Sequence, residues 1–236
     1  MTGDKRGVME KQKILVLDVG GTHVKIFGTG MKQPIELVSG PTLTAAEMVR
    51  TVKEALKSQT FDVVTIGYPG PVVHGKPLKE PHNLAKGWVG FNFRKALGRP
   101  VKIINDAAMQ ALGSYKCGRM LFLGLGTGLG SAMIADGVVE PMELAHLPYK
   151  NGKTYEDYLG IRGLKRLGRK KWERHVNQVV SLLRAALEPE DVVLGGGNVK
   201  KLKKLPAGTR MGNNRNAFRG GFELWNEHTD QRRFRG

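Results

Sequence analysis

An α/β fold in two similar lobes around a ligand cleft is what this sequence predicts, on three observations. Short continuous apolar runs, the pattern of strands covered on both faces, alternate with stretches of helical apolar spacing. Several of those runs end in polar residues beside glycine-rich turns, where open α/β sheets place their ligands. Two hairpin patterns interrupted by Gly and Thr, KILVLDVGGTHVKIFGTG and RMLFLGLGTGLGSAMIADG, share one grammar although roughly a hundred residues separate them, as in a duplicated domain facing its copy.

The elements follow in order. Ile14, Leu15, Val16 and Leu17 form the first strand, Asp18 puts a carboxylate at its end, and VKIFGTG is the returning arm. TAAEMVRTVKEALKS is a helix with Thr44 in the capping position. FDVVTIGYPG is a buried strand ending in a Tyr-Pro-Gly turn, and VKIIND repeats that form with Asn105 and Asp106 at its end. In the second half, strand, glycine-rich turn and strand lead to an Asp136-Gly137 turn into VVEP. Residues 160–187 carry Leu, Trp and Val at helical spacing, and NRNAFRGGFELWNEH reads as a C-terminal helix. The division expected is a first lobe of residues 1–117, a second of 118–211, and a helix at about 212–236 packing back on the first.

Composition narrows the function classes. A chain of 236 residues with 40% apolar content can bury one large core or two small ones. No window approaches the roughly 20 apolar residues of a membrane span, and MTGDKRGVMEKQK is too polar for a secretory signal. The single cysteine, Cys117, allows neither an internal disulfide nor a cysteine-paired zinc site. A cytoplasmic enzyme or binding protein is expected. The net charge of +17 concentrates anions such as nucleotides, polyphosphate, nucleic acid or acidic lipid. Residues 150–236 hold 20 Lys and Arg against 9 Asp and Glu, a net of +11.

The glycines have a physical task. A glycine-rich turn lets backbone N–H groups approach an anion, and Thr22 or Thr127 adds a hydroxyl donor. Alone, GLGTGLG also reads as a tight hairpin with no ligand. It lacks the Lys-Ser/Thr ending of a P-loop, and a strand rather than a helix follows, against both Walker and Rossmann sites. Asn105-Asp106 before AAMQALGSY is equally a helix-capping sequence. Glu143 and His146, three apart, fall on one side of a helical turn, suited to two adjacent hydroxyls, a metal pair or a surface salt link.

The combination is specific: Asp-x-Gly-Gly-Thr at a strand end, Asn-Asp at a later one, Gly-x-Gly-Thr-Gly-x-Gly, ELAH, then VVLGGGN at 192–198. In that order it resembles the ROK sugar kinases of the hexokinase and actin superfamily, and most of all the polyphosphate/ATP glucokinases, from about Ile14 to about Trp225. The resemblance implies two actin-like (ribonuclease H-like) lobes. It implies phosphoryl transfer from polyphosphate or ATP to the 6-hydroxyl of glucose or a related hexose, with Asp106 as general base. Asn83, Asn105, Asp106, Glu143, His146, Glu156 and the backbone at Gly70 would hold the sugar. Gly20, Gly21, Thr22, Lys25, Gly126, Thr127 and Gly128 would hold phosphates with Asp18, and Gly195, Gly196 and Gly197 would lie at the donor's far end. Asp18 would orient Mg²⁺, through water.

Some residues depart from the pattern or keep a second reading. Many relatives follow the His with a cysteine-rich zinc loop, but HLPYKNGKTYEDYLG has no cysteine, so no structural zinc is expected. Ala145 replaces the usual Gly of E-x-G-H, and Asp157 beside Glu156 leaves that register open. PHNLAKGWVGFNFRKALG also reads as a loop anchored by Trp88 and Phe91, and Lys25 as a solvated strand residue. Seven basic residues from Arg162 to Arg174, with KKLKK at 200–204, read either as solvated helix faces or as a path for an extended polyanion. No base-reading motif or array of stacking aromatics supports specific nucleic-acid binding. A catalytically silent sugar-binding regulator and a basic protein that binds nucleic acid nonspecifically remain the other classes, and the sequence leaves a homodimer and the role of the basic tail at 232–235 open.

Overall fold

The computed structural model describes residues 12–226 except Ser58 and Asn214. The polar opening stretch, the tail at 232–235 and residues 227–236 of the expected C-terminal helix lie outside the described residues. The first sheet contains β1 (Ile14–Val19), β2 (His23–Gly28), β3 (Ile35–Val38), β4 (Val63–Tyr68) and, after the small hairpin β5 (Val72–Val73) and β6 (Lys76–Pro77), β7 (Val101–Asn105). Its order is β3-β2-β1-β4-β7, with β1, β4 and β7 parallel and β2 and β3 antiparallel. The second sheet contains β8 (Arg119–Leu125), β9 (Leu129–Ala135), β10 (Val138–Met142), β11 (Asp191–Gly195) and β12 (Arg210–Met211). Its order, β10-β9-β8-β11-β12, repeats the first: an antiparallel meander on one side, parallel additions on the other.

Helices cover both sheets because the central strands are apolar on both faces; β4 is buried at all six positions. On the first, α1 (Ala45–Leu56) buries Met48, Val49, Val52 and Leu56. Its start is a capping box in which the Thr44 hydroxyl accepts from the Glu47 N–H at 3.2 Å and the Glu47 carboxylate accepts from the Thr44 N–H at 2.9 Å. The short helix α2 (Phe93–Leu97) follows the loop anchored by Trp88, which is fully buried. On the second sheet lie α4 (Tyr155–Leu159), α5 (Ile161–Leu167) and α6 (Arg169–Leu187). The stretch read as helical over 160–187 is broken at Gly168, whose φ of 72° with ψ of 159° only glycine adopts easily.

Between the sheets lie α3 (Asp106–Ser114) and α7 (Asn216–Glu223). Ala108, Met109 and Leu112 of α3 and Phe218 of α7 share one core with Val16 and Val63 of the first sheet and Met120 and Phe122 of the second. The two helices touch backbone to backbone: a Cβ at Gly113 or Gly220 would overlap the opposite helix. The Thr65 hydroxyl, buried in β4, donates to the Gly221 carbonyl at 2.7 Å and accepts from the Trp225 indole at 2.9 Å, which ties α7 to the first sheet. The helix expected from about residue 212 begins at Asn216, because residues 210–211 pair with β11. Among the described residues no helix is long and apolar enough to cross a membrane.

Candidate active site at the strand tips

Parallel pairing sets the site's base. Register aligns Asp18 with Gly67 and Tyr68 with Asn105, so the carboxyl ends of β1, β4 and β7 stand side by side. Gly67 keeps this edge tight: a Cβ there would run into the Met109 side chain of α3 and come within 3.6 Å of the Asp18 carboxylate. Asn105 caps α3, its carbonyl accepting from the Ala108 N–H at 3.0 Å while its amide donates to the Gly70 carbonyl at 3.0 Å. One N–H of that amide is left for a ligand. Asp106, the first helical residue, accepts from the Ala107 N–H at 2.8 Å. The helix cap and the carboxylate thus fall on adjacent residues.

Electrostatics mark Asp18 and Asp106 as a pair. Burial, then the Asp18 carboxylate and, more weakly, Glu143, hold the Asp106 carboxyl up at about 7, against the Ala107 N–H. Burial raises Asp18 to about 6, with Lys25 pulling it down from the facing strand. Two partly buried carboxylates that cannot both ionise comfortably suit a cation, and magnesium accepts one or two carboxylates beside phosphates and water. Among the described residues no group of three His, Cys, Asp or Glu side chains is placed to hold a metal ion unaided.

The first glycine loop is closed by the Gly20 N–H donating to the His23 carbonyl at 2.9 Å and by Ser39, whose hydroxyl donates to the Gly20 carbonyl at 2.7 Å. It lies against Asn83, whose Cβ would be 2.8 Å from a Cβ on Gly21. Thr22 is exposed beside the His23 imidazole at 3.3 Å. In the second lobe, Gly126, Thr127 and Gly128 form the tip of the β8–β9 hairpin. Asn198, buried after β11, holds that tip with its amide to the Gly126 carbonyl at 2.8 Å and its N–H to the Leu125 carbonyl at 2.9 Å. Gly196, at φ 83°, packs on Leu125 with no room for a Cβ, so the Gly195–Gly197 turn abuts the hairpin tip.

Glu143 and His146 flank a single 3₁₀ turn, Leu144–His146, with carboxylate and imidazole 3.4 Å apart and both side chains more than half exposed. The Glu156 carboxylate accepts from the Leu129 N–H at 3.3 Å, lies over Gly128 and pairs with Arg162 at 3.3 Å. Among the described residues no hydrogen bond or ion pair joins Glu156 to Glu143 or His146. The lobes meet where Ala107, next to Asp106, packs on Gly130, two residues beyond the second loop; a Cβ there would lie 2.8 Å from that of Ala107.

Sequence reading missed Ser39 and Asn198, which brace the two loops. Asn198 closes the VVLGGGN run, so an Asn just after a strand and glycine turn was its only signal; nothing local marked Ser39.

The ROK family model matches residues 14–140, more than half of the chain. The chain belongs to the ROK family. Among curated relatives, the polyphosphate glucokinase of Mycobacterium tuberculosis is 28% identical over 225 residues, covering 86% of this chain and 84% of the relative. That of Mycobacterium leprae is 26% identical over 84% of this chain and 67% of its own. Among solved structures, the inorganic polyphosphate/ATP-glucomannokinase of Arthrobacter sp. strain KM superposes with a TM-score of 0.77 at 25% identity, over 89% of this chain and 96% of its own. The ROK glucokinase of Streptomyces griseus, solved with glucose and AMPPNP, gives 0.74 at 15% identity over 90% and 98%, a likeness of fold. The two repeated sheets are therefore the two lobes of an actin-like ROK sugar-kinase fold.

Proposed function

We propose that this ROK protein transfers a phosphoryl group from polyphosphate or ATP to the 6-hydroxyl of glucose or a related hexose, with Asp106 as the proton acceptor. The chain is a phosphotransferase of the glucokinase type, in line with its family and relatives. The reading is carried by one observation: the Asp106 end of α3 packs through Ala107 onto Gly130 of the second glycine hairpin. A carboxylate held near 7 thereby borders a loop suited to phosphate.

The chemistry asks little else of the protein than placement and charge. Glu143 and His146 read neighbouring sugar hydroxyls, and the free N–H of Asn105 takes another. As the acceptor oxygen bonds to phosphorus, its proton passes to the Asp106 carboxylate and the bond to the donor's bridging oxygen breaks. The shortened donor keeps the negative charge, beside the N–H groups of the Gly126–Gly128 tip. Magnesium, when bound at Asp18, supplies positive charge to the phosphoryl oxygens. Closure of the lobes keeps water from competing with the sugar.

Replacing Asp106 tests the assignment. Asp106→Asn preserves shape and hydrogen-bonding size but removes the base, so transfer to glucose should fall by about 10²–10⁴-fold. Calorimetry should still show glucose binding. Turnover equal to wild type would remove Asp106 from the role.

A further inference from the structure

We propose that the α5–α6 face and the turn after β11 form one basic band that extends the donor site, a docking surface for a linear polyphosphate chain. This rests on the kinase reading and adds where the donor lies beyond its reacting end.

The two basic segments are far apart in sequence and contiguous in space. The Glu173 carboxylate of α6 accepts from the Lys203 N–H at 2.5 Å, and Glu173, Asn177, Lys203 and Lys204 line a common hollow. Both segments lead away from the second glycine loop. The first residue of α5, Ile161, donates its N–H to the Thr127 carbonyl at 3.1 Å. On the other side, the segment bearing Lys200 and Lys201 leaves directly from Asn198, which grips Gly126. A chain gripped at Gly126–Gly128 therefore has cations ahead of it on both sides.

Charge is left over on this band. Arg162 pairs with Glu156 and Asp157, and Arg166 donates to the Asp157 carbonyl and stacks on Tyr158. Lys165, Arg169, Lys170, Lys171 and Arg174 are exposed and make no ion pair among the described residues, and the same holds for the side chains of the four lysines at 200–204. Three consecutive cations open α6, with no acidic residue in its first turn and no side-chain cap at Gly168. That arrangement opposes the helix dipole, which favours anions there, so the cations weaken the helix unless an anion offsets them. His175 registers the field: after burial, Lys150, Arg174 and Arg166 hold its imidazole below the usual value.

The ligand chemistry follows from what the band lacks as well as what it holds. Stacking platforms and base-edge readers characterise single-stranded nucleic-acid sites; the exposed side chains named here are aliphatic amines and guanidinium groups. A repeating phosphate anhydride offers charge at every unit and needs nothing else. ATP, with three phosphates, would engage the loop and leave the band unused.

The test is the quadruple variant Lys170→Ala, Lys171→Ala, Lys203→Ala, Lys204→Ala, all exposed positions, with its melting temperature compared with wild type. Long-chain polyphosphate should show a KM raised about tenfold, with KM for ATP and glucose within twofold of wild type. The slope of log affinity against log salt for fluorescently labelled polyphosphate should shrink by about 3, near 0.7 per lost contact. Equal losses for ATP and long-chain polyphosphate, or no loss for either, would overturn the band. So would an oligonucleotide of matched charge that binds wild type as tightly as polyphosphate and loses as much. Direct binding of labelled polyphosphate reads the band even if no sugar is phosphorylated, an outcome that would instead sink the kinase reading.

Discussion

Strand β1 carries Asp18 one residue before its end at Val19, whereas β8, which holds the same place in the second sheet, has Gly124 there before Leu125 and runs into Gly126. At the next parallel position β4 leads to Tyr68-Pro69-Gly70 and β11 to Gly195-Gly196-Gly197, glycine turns without a carboxylate in either lobe. One topology thus supports two kinds of strand end. In the first lobe two of the three parallel tips, those of β1 and β7, carry the carboxylates proposed to take a proton and a cation. In the second they carry bare backbone, proposed to approach phosphate, with cations set behind it. Duplicated frames can diverge this way because strand order is fixed by buried faces, while the residue just past each strand end bears no core load.

The sharpest way to break this contrast is to compare one lesion in each lobe. Asp106→Asn should collapse kcat with sugar affinity kept, while the loss of lysines from the band should spare kcat and raise KM for long donors alone. If both changed the same parameter, the division of labour would be wrong. A weaker lesion in the second lobe is Asn198→Ala, which leaves the part-buried Gly126 carbonyl without its side-chain donor. A stability loss of about 0.5–1.5 kcal/mol and a raised KM for every donor are expected, seen in denaturant melts and donor titrations.

Proton linkage sharpens the first-lobe half. Asp106 keeps its proton to about 7 in the fold against 3.8 for an ordinary aspartate. Between those values the folded chain binds the extra proton, so this contribution to stability is full at low pH and is lost as pH rises through about 7. Melting temperature should therefore fall from about pH 4 to 7 and level off above, and Asp106→Asn should flatten that slope. In the same window kcat/KM rises as the base ionises, and Asp18→Asn, by removing the neighbouring charge, should move the midpoint down. A midpoint that stays put would uncouple the two carboxylates.

The smallest expected effect concerns the hairpin between His146 and Glu156. The Tyr149 hydroxyl donates to Gln178 at 2.7 Å and meets the His175 ring at 3.0 Å, fastening this segment to α6. Tyr149→Phe keeps the edge-to-face contact with Tyr158 and drops those bonds. Glucose KM should rise a few-fold at unchanged kcat, in steady-state kinetics.

Much of this was legible along the chain. The apolar runs with their polar ends located the strands, the Asp136-Gly137 turn emerged with both residues at positive φ, and Thr44 caps α1 as read. The helix break at Gly168 was hidden, because a glycine inside helical periodicity is locally tolerated and only its conformation stops the helix. Glu156 was visible as a carboxylate near the sugar pair in sequence, but its bond to Leu129 depends on α4 folding under the β8–β9 hairpin.

By itself the sequence determined which segments are strands, which turns can admit an anion and where charge accumulates, since periodicity, glycine content and charge are local properties. Only the tertiary structure decided that Asp18 and Asp106 share a field, that Asn198 holds Gly126, and that residues 162–174 meet 200–204. Those pairings come from sheet order and from the close approach of α3 and α7 between the lobes. They are long-range packing outcomes, set by which buried faces fit together rather than by any residue's neighbours in the chain.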